Sequence, residues 1–219
     1  MVDLIHGLRA QDVRANLEVV QERLRAAGRR PGEVQILAAV KYLPVEELGA
    51  LAEGGITLVG ENRAQELLTK SEAHPGFTWD FIGALQSRKV PLLLPHVRYI
   101  HSVASDSAID QLAKHGRPET RILIEVNVAG DAGKAGIDPA DLPSFIERCP
   151  VAVVGLMTMP PLTAEPEQNR RHFAALRELA ERHGLRELSM GTSQDYAVAA
   201  EEGATIIRLG SLLYRPGAS

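Results

Sequence analysis

The chain has 219 residues, with 24 Lys and Arg against 28 Asp and Glu, a formal net charge of −4. That balance carries no basic footprint for nucleic acid, and 45% apolar residues suits a globular domain large enough to bury a core. A single cysteine, Cys149, excludes an internal disulfide and fits a reducing compartment. The N-terminus lacks the basic and apolar regions of a secretory signal. The apolar stretch from Val151 to Leu162 is too short to span a bilayer, which takes ~20 residues. These features predict a cytoplasmic protein.

In chain order, residues Asp3 to Gly28 predict a long leading helix. Leu4, Leu8, Val13, Leu17, Val20 and Leu24 recur at helical spacing, and Gly28 is a plausible stop. Strand-like runs follow at 34–40, 56–59, 78–82, 98–102, 120–128, 151–156, 186–190 and 204–209. Helical patterns separate them: from Pro44 to Gly54-Gly55, then 62–73, 86–94, 105–115, 138–148, 165–183 and 193–202. No helix is expected after the last strand, and the tail beyond Leu213 reads as loose. Strict alternation of strand and helix implies βαβ units and a parallel sheet. Eight such units predict one closed (β/α)8 barrel of TIM type with an extra N-terminal helix: residues 1–28 the helix, 34–213 the barrel, 1–219 a single domain. The leading helix is expected either to cover the barrel or to present a partner surface.

Chemistry in such barrels gathers at the C-terminal strand ends. Lys41 follows the first strand. It reads either as a rim lysine reaching for solvent or as a desolvated amine able to form a Schiff base with a carbonyl. Ser193 reads as a helix N-cap, yet Gly191-Thr192-Ser193 and Gly210-Ser211 follow strands seven and eight, the usual phosphate position of these barrels. Arg208 lies inside the last strand, either paired with a carboxylate or aimed at a ring nitrogen or phosphate. A lysine amine, a phosphate cradle and an inward arginine together describe a pyridoxal 5′-phosphate site.

Other patterns carry less. Gly130 to Ala135 only superficially resembles a nucleotide-binding P-loop, since Val128 and Ala135 stand where glycine and Ser/Thr are needed. The segment is expected to be a flexible loop near the site. The seven histidines and one cysteine show no metal-ligand spacing. Met157 and Met159 are expected to face the core, and Leu176, Leu179 and Ala180 form a buried helix face.

Six stretches in order carry a family resemblance. They are Ala38-Ala39-Val40-Lys41, Gly60 to Glu66, Trp79 to Gln86, Gly155 to Met159, Ser189 to Asp195, and Ile207 to Ser211. Over essentially its whole length the chain resembles the pyridoxal-phosphate homeostasis protein family, which is similar to the barrel domain of alanine racemase. The resemblance implies that Lys41 holds pyridoxal 5′-phosphate as an internal aldimine. It implies further that Ser193, Gly210 and Ser211 contact the phosphate, that Arg208 faces the pyridine nitrogen, and that Asn62 and Met157 line the ring pocket. Asp80 departs from the family's histidine, Val40 from its Ser or Thr, and Thr192 from its methionine. The ending Leu212-Leu213-Tyr214-Arg215 departs from its aromatic-glycine pattern.

The implied function is cofactor holding and delivery, with pyridoxal-phosphate-dependent apoenzymes as recipients, no nucleic acid or membrane partner, and a monomeric state. An amino-acid racemase is the competing reading. Two-base racemisation needs a group on each face of the cofactor; Lys41 can serve one, and the sequence offers no candidate for the other, with Tyr42 and His101 left for geometry to decide. A cofactor-free Schiff-base lyase of sugar phosphates is a third reading.

Overall fold

The computed structural model describes residues 4–163 and 165–216. Asp3, the start of the expected leading helix, and the last three residues of the expected single domain lie outside them.

Eight parallel strands close into a barrel in sequence order: β1 (Gln35–Ala39), β2 (Leu58–Glu61), β3 (Thr78–Phe81), β4 (Tyr99–Val103), β5 (Arg121–Glu125), β6 (Ala152–Met157), β7 (Glu187–Thr192) and β8 (Ile206–Leu209). The last strand pairs with the first, Ala38 opposite Leu209 and Leu37 opposite Arg208, so the sheet has no free edge. The helices are α1 (Ala10–Ala26), α2 (Leu48–Glu53), α3 (Ala64–Ala73), α4 (Val90–Leu93), α5 (Asp106–His115), α6 (Leu142–Arg148), α7 (Arg170–Arg182), α8 (Tyr196–Glu201) and α9 (Ser211–Tyr214). The expected TIM-type barrel with an extra N-terminal helix is thus the observed fold.

Apolar side chains fall into two clusters. The larger joins strand residues to helix residues such as Val13, Leu51, Leu67, Leu112, Phe173 and Leu176. The smaller is made of the strand residues Leu37, Leu58 and Ile206, with Ile82 and Tyr99 packed against it. It contains no helix residue, so it is the filling of the barrel itself. The Leu176, Leu179 and Ala180 face of α7 is buried as expected.

Several boundaries differ from the sequence reading for local reasons. The leading helix begins at Ala10, since Arg9 before it is extended (φ −103°, ψ 131°) and Gly7 takes φ +71°. The preceding segment is instead tied to the β1–α2 connection. Ile5 N–H donates to the Tyr42 carbonyl (2.9 Å), and Gly7 and Leu8 N–H donate to the Glu47 carboxylate (2.7 and 2.8 Å). Gly28, with φ +78°, does end α1. The third helix starts at Ala64 rather than Asn62, and the stretches expected as helices at 86–94 and 165–183 each open with a 3-10 turn.

The last strand is followed by a helix after all, α9, and Tyr214 within the supposedly loose tail is buried, its hydroxyl donating to the Ala39 carbonyl (3.0 Å). A four-residue helix is below the length at which periodicity shows. The leading helix α1 packs against α2, α8 and α9, so it completes the outer ring where α9 is too short to do so. Asn16 on α1 holds the carbonyls of Leu213 and Arg215 (3.2 and 2.8 Å).

Candidate functional site

The residues singled out in the sequence converge on the C-terminal rim, over the adjacent strands β6, β7, β8, β1 and β2. Lys41 stands two residues past β1. Its backbone neighbours are held firmly. Val40 N–H donates to the Gly60 carbonyl (2.9 Å), and the Val40 carbonyl accepts from Lys70 Nζ (2.9 Å) and Leu43 N–H (3.0 Å). The Lys41 side chain is exposed, with Nζ 4.5 Å from the centre of the Tyr42 ring. The expectation of a desolvated amine is therefore corrected. The buried lysine is Lys70 on α3, paired with Glu61 Oε2 at 2.6 Å. Nothing in the sequence marked Lys70 except its place on the apolar side of a helix.

The loops after β7 and β8 meet, as expected. Ser193 Oγ accepts from Gly210 N–H at 3.3 Å, and Ser211 follows directly. Ser193 is not an N-cap: α8 begins at Tyr196, and Ser193 sits in the turn before it. Asp195 shapes that turn by accepting from Thr192 N–H (2.7 Å), Thr192 Oγ1 (3.1 Å) and Asn169 Nδ2 (2.8 Å). The sequence reading quoted Asp195 without giving it this task. Gly191, with φ +90°, makes the sharp exit from β7, and a Cβ there would stand 2.6 Å from the Ala199 Cβ.

Arg208 is buried inside the barrel, 6% exposed. Nη1 donates to the Ser189 carbonyl (2.7 Å) and to Ser189 Oγ (2.5 Å); Nη2 donates to the Thr158 carbonyl (2.9 Å) and lies 3.3 Å from Met159 Sδ. Among the described residues, no carboxylate stands within ion-pair distance of Arg208, which corrects the carboxylate-paired alternative. Four of its five N–H groups are thereby engaged, and the Nε–H is without an acceptor among the described residues. Burial pulls its pKa down to about 10, opposed by the more distant charges of Glu125 and Asp195. Burial raises the Glu125 carboxyl, opposed by Arg208.

Met157, at the end of β6, is buried, 5% exposed. Met159 is 54% exposed, against the expectation of a core residue, because β6 has ended and the chain turns outward. It borders a cleft of about 540 Å³ with Glu125, Lys134, Pro161, Leu162 and Asp195. The loop after β5 supplies Lys134 to this cleft.

Asn62 lies across the mouth on the β2 side. Its N–H donates to Glu61 Oε1 (2.6 Å), and its Oδ1 is buried without a partner among the described residues. Gly83 permits this placement, since a Cβ there would come within 2.0 Å of the Asn62 carbonyl oxygen. The expected site residues thus share one rim. Those that the sequence left unassigned are Ser189, Thr158, Glu125, Asp195 and the Glu61–Lys70 pair.

Comparison with known proteins gives the same grouping. The family described as alanine racemase, N-terminal domain, matches residues 8–216. A pyridoxal phosphate homeostasis protein of Aquifex aeolicus is 40% identical over 213 residues, spanning 90% of this chain and 93% of its own. Among solved structures, PipY of Synechococcus elongatus with PLP bound superimposes with a TM-score of 0.78 at 31% identity, covering 93% of this chain and all (100%) of that one. Alanine racemase of Corynebacterium glutamicum shares the fold, with a TM-score of 0.72 at 15% identity over 66% of its length. With its barrel, its six motifs and near full-length relatives in agreement, the chain belongs to the pyridoxal phosphate homeostasis protein family.

Proposed function

We propose that this protein binds pyridoxal 5′-phosphate at the C-terminal mouth of its barrel and serves to hold the cofactor and hand it on. The observation that carries the reading is a buried arginine whose Nε–H is unengaged among the described residues, on the strand that leads into the Gly210/Ser193 junction beside the Lys41 strand end. A pyridine nitrogen is an acceptor and suits that donor. The hydroxyls and backbone of Ser193, Gly210 and Ser211 suit a phosphate, and the buried Asn62 Oδ1 is an acceptor without a partner among the described residues. When bound, the cofactor supplies an aldehyde that condenses with amines.

The chain's own groups then have separate tasks. Lys41 offers an accessible amine on a backbone fixed by Lys70 and Gly60. Arg208 would hold a positive charge beside the ring nitrogen and so disfavour its protonation, which would weaken the ring as an electron sink. Met157, buried at the end of β6, would line the ring pocket. That arrangement suits storage better than turnover. The geometry also counts against racemisation through His101, which is wholly buried and bonded at both ring nitrogens, to Ser189 Oγ (2.8 Å) and Asp80 Oδ2 (3.0 Å). Delivery implies pyridoxal-phosphate-dependent apoenzymes as recipients, a monomeric carrier and a cytoplasmic location. The half-buried Cys149, whose thiol is pushed up to about 11 by burial, is correspondingly unreactive.

The test is the visible absorbance of purified protein after addition of pyridoxal 5′-phosphate, followed by borohydride reduction and mass analysis of wild type and Lys41→Ala. A yellow wild type with one pyridoxyl group on Lys41, absent from the variant, supports the reading. A wild type that stays colourless and unlabelled overturns it and turns attention to sugar-phosphate lyase chemistry.

A further inference from the structure

Beneath Arg208 a line of buried polar side chains crosses the inside of the barrel. Ser189 on β7, His101 on β4 and Asp80 on β3 are each 0% exposed. Ser189 Oγ is 2.5 Å from Arg208 Nη1 and 2.8 Å from His101 Nδ1. His101 Nε2 is 3.0 Å from Asp80 Oδ2. Asp80 also accepts from Arg98 Nε (3.0 Å), Arg98 Nη2 (2.6 Å) and Tyr99 N–H (3.2 Å), and Arg98 Nη1 reaches Gln35 Oε1 (2.5 Å).

The hydrogen-bond inventory fixes the direction of every link. Burial would raise the Asp80 carboxyl, but its bonds to His101 and Arg98 outweigh that and keep it ionised. An ionised carboxylate only accepts, so His101 carries its proton on Nε2. Burial holds the imidazole neutral despite Asp80, with Arg208 and Arg98 adding to that effect. Nδ1 is therefore a lone pair, and it must take the Ser189 hydroxyl proton. That leaves the Ser189 oxygen facing Arg208 as a pure acceptor. The chain runs Arg208 to Ser189 to His101 to Asp80, with no freedom to reverse while Asp80 is a carboxylate.

We propose that Asp80, His101 and Ser189 are positioning residues for Arg208, a buried chain that locks its guanidinium so that the unengaged Nε–H faces the ring-binding side of the barrel mouth. The inference rests on the cofactor reading above, and adds to it how the arginine is aimed. A buried polar network that served only stability would close on itself, since each unmet group costs free energy. This one ends on a free donor. Nη1 is held twice by Ser189 and Nη2 by Thr158, so rotation of the guanidinium that withdrew the Nε–H would break several charge-assisted bonds together.

Two measurements test this. The first uses cofactor-free protein and reads the His101 tautomer from imidazole ¹⁵N resonances. Wild type is expected to show the Nε2–H form, and Asp80→Asn, whose amide can donate to Nε2, the Nδ1–H form. A wild-type His101 that is doubly protonated or carries Nδ1–H overturns the chain. The second loads wild type, Asp80→Asn and Ser189→Ala with pyridoxal 5′-phosphate and reads affinity and the visible band. Ser189→Ala, which loses the Oγ bond to the guanidinium, is expected to weaken binding about tenfold and shift the band, while Lys41 still labels at saturating cofactor; Asp80→Asn, which keeps that bond, is expected to change affinity less. Unchanged affinity and unchanged band in folded Ser189→Ala overturn the positioning role; if Ser189→Ala does not fold, Ser189→Cys, whose thiol is a poor acceptor, decides in its place. A wild type that takes up no cofactor overturns the binding reading and with it the ring-facing purpose, a result distinct from a wrong tautomer.

Discussion

Two lysines bear on the same strand end, and their environments are opposite. Lys70 is 2% exposed, bonded to Glu61 and to the Val40 carbonyl, one residue before Lys41. Lys41 is exposed and touches the Tyr42 ring. The Glu61 carboxylate is itself consumed by Lys70 and by the N–H groups of Asn62 and Arg63. One lysine is scaffold, closed on every side; the other is an accessible amine on the backbone that the first one holds. The lesson is that the accessible amine in this barrel stands on backbone held by a different, buried lysine.

The sharpest way to break the comparison is Lys70→Met. It leaves Glu61 as an uncompensated buried charge, and the loss in chemical denaturation is expected to be about 3–5 kcal/mol. Lys70→Met with Glu61→Leu is expected to recover much of it. If the single variant is as stable as wild type, the pair is not holding β2, α3 and the Val40 carbonyl together.

Acid comes next, through the other buried network. Burial depresses the folded pKa of His101 below its ordinary value of 6.5. As pH falls through that value the unfolded chain takes up a proton that the folded one refuses, so stability falls by up to about 1.4 kcal/mol per pH unit. Asp80, also depressed when folded, contributes stability that is lost further down, below its ordinary 3.8. Thermal unfolding of wild type against His101→Gln between pH 7 and 5 separates the two steps; parallel curves would remove His101 from the account.

Tyr214→Phe deletes the bond to the Ala39 carbonyl and is expected to cost about 1 kcal/mol, read as a lowered unfolding midpoint. Lys41→Ala should be smallest of all in stability, within about 0.5 kcal/mol, while the proposed function expects it to lose borohydride-fixed cofactor. A large stability loss in Lys41→Ala would mean that the two lysines are not as different as their burial says.

The barrel was legible because alternation of strand and helix is local: each β-branched run and each amphipathic stretch shows its period within ten residues. The positions of Lys41, Ser193, Arg208, Gly210 and Ser211 at strand ends followed from the same alternation and from motif order. Short elements escaped it. The four residues of α9 were read as the end of the barrel followed by loose tail, and Ser193 as a cap, because neither a single turn nor a bend before a helix has a period.

The sequence by itself therefore determined the eight-fold alternation, the closed barrel and the rim on which the chemistry-bearing residues fall. Tertiary structure alone decided which lysine is buried, which N–H of Arg208 is left open, and that Asp80, His101 and Ser189 line up behind it. Those depend on closure of the barrel, which brings residues 80, 101, 189 and 208 from four strands into hydrogen-bond distance. Desolvation then sets their protonation, and no sequence period records which side chains share an interior layer.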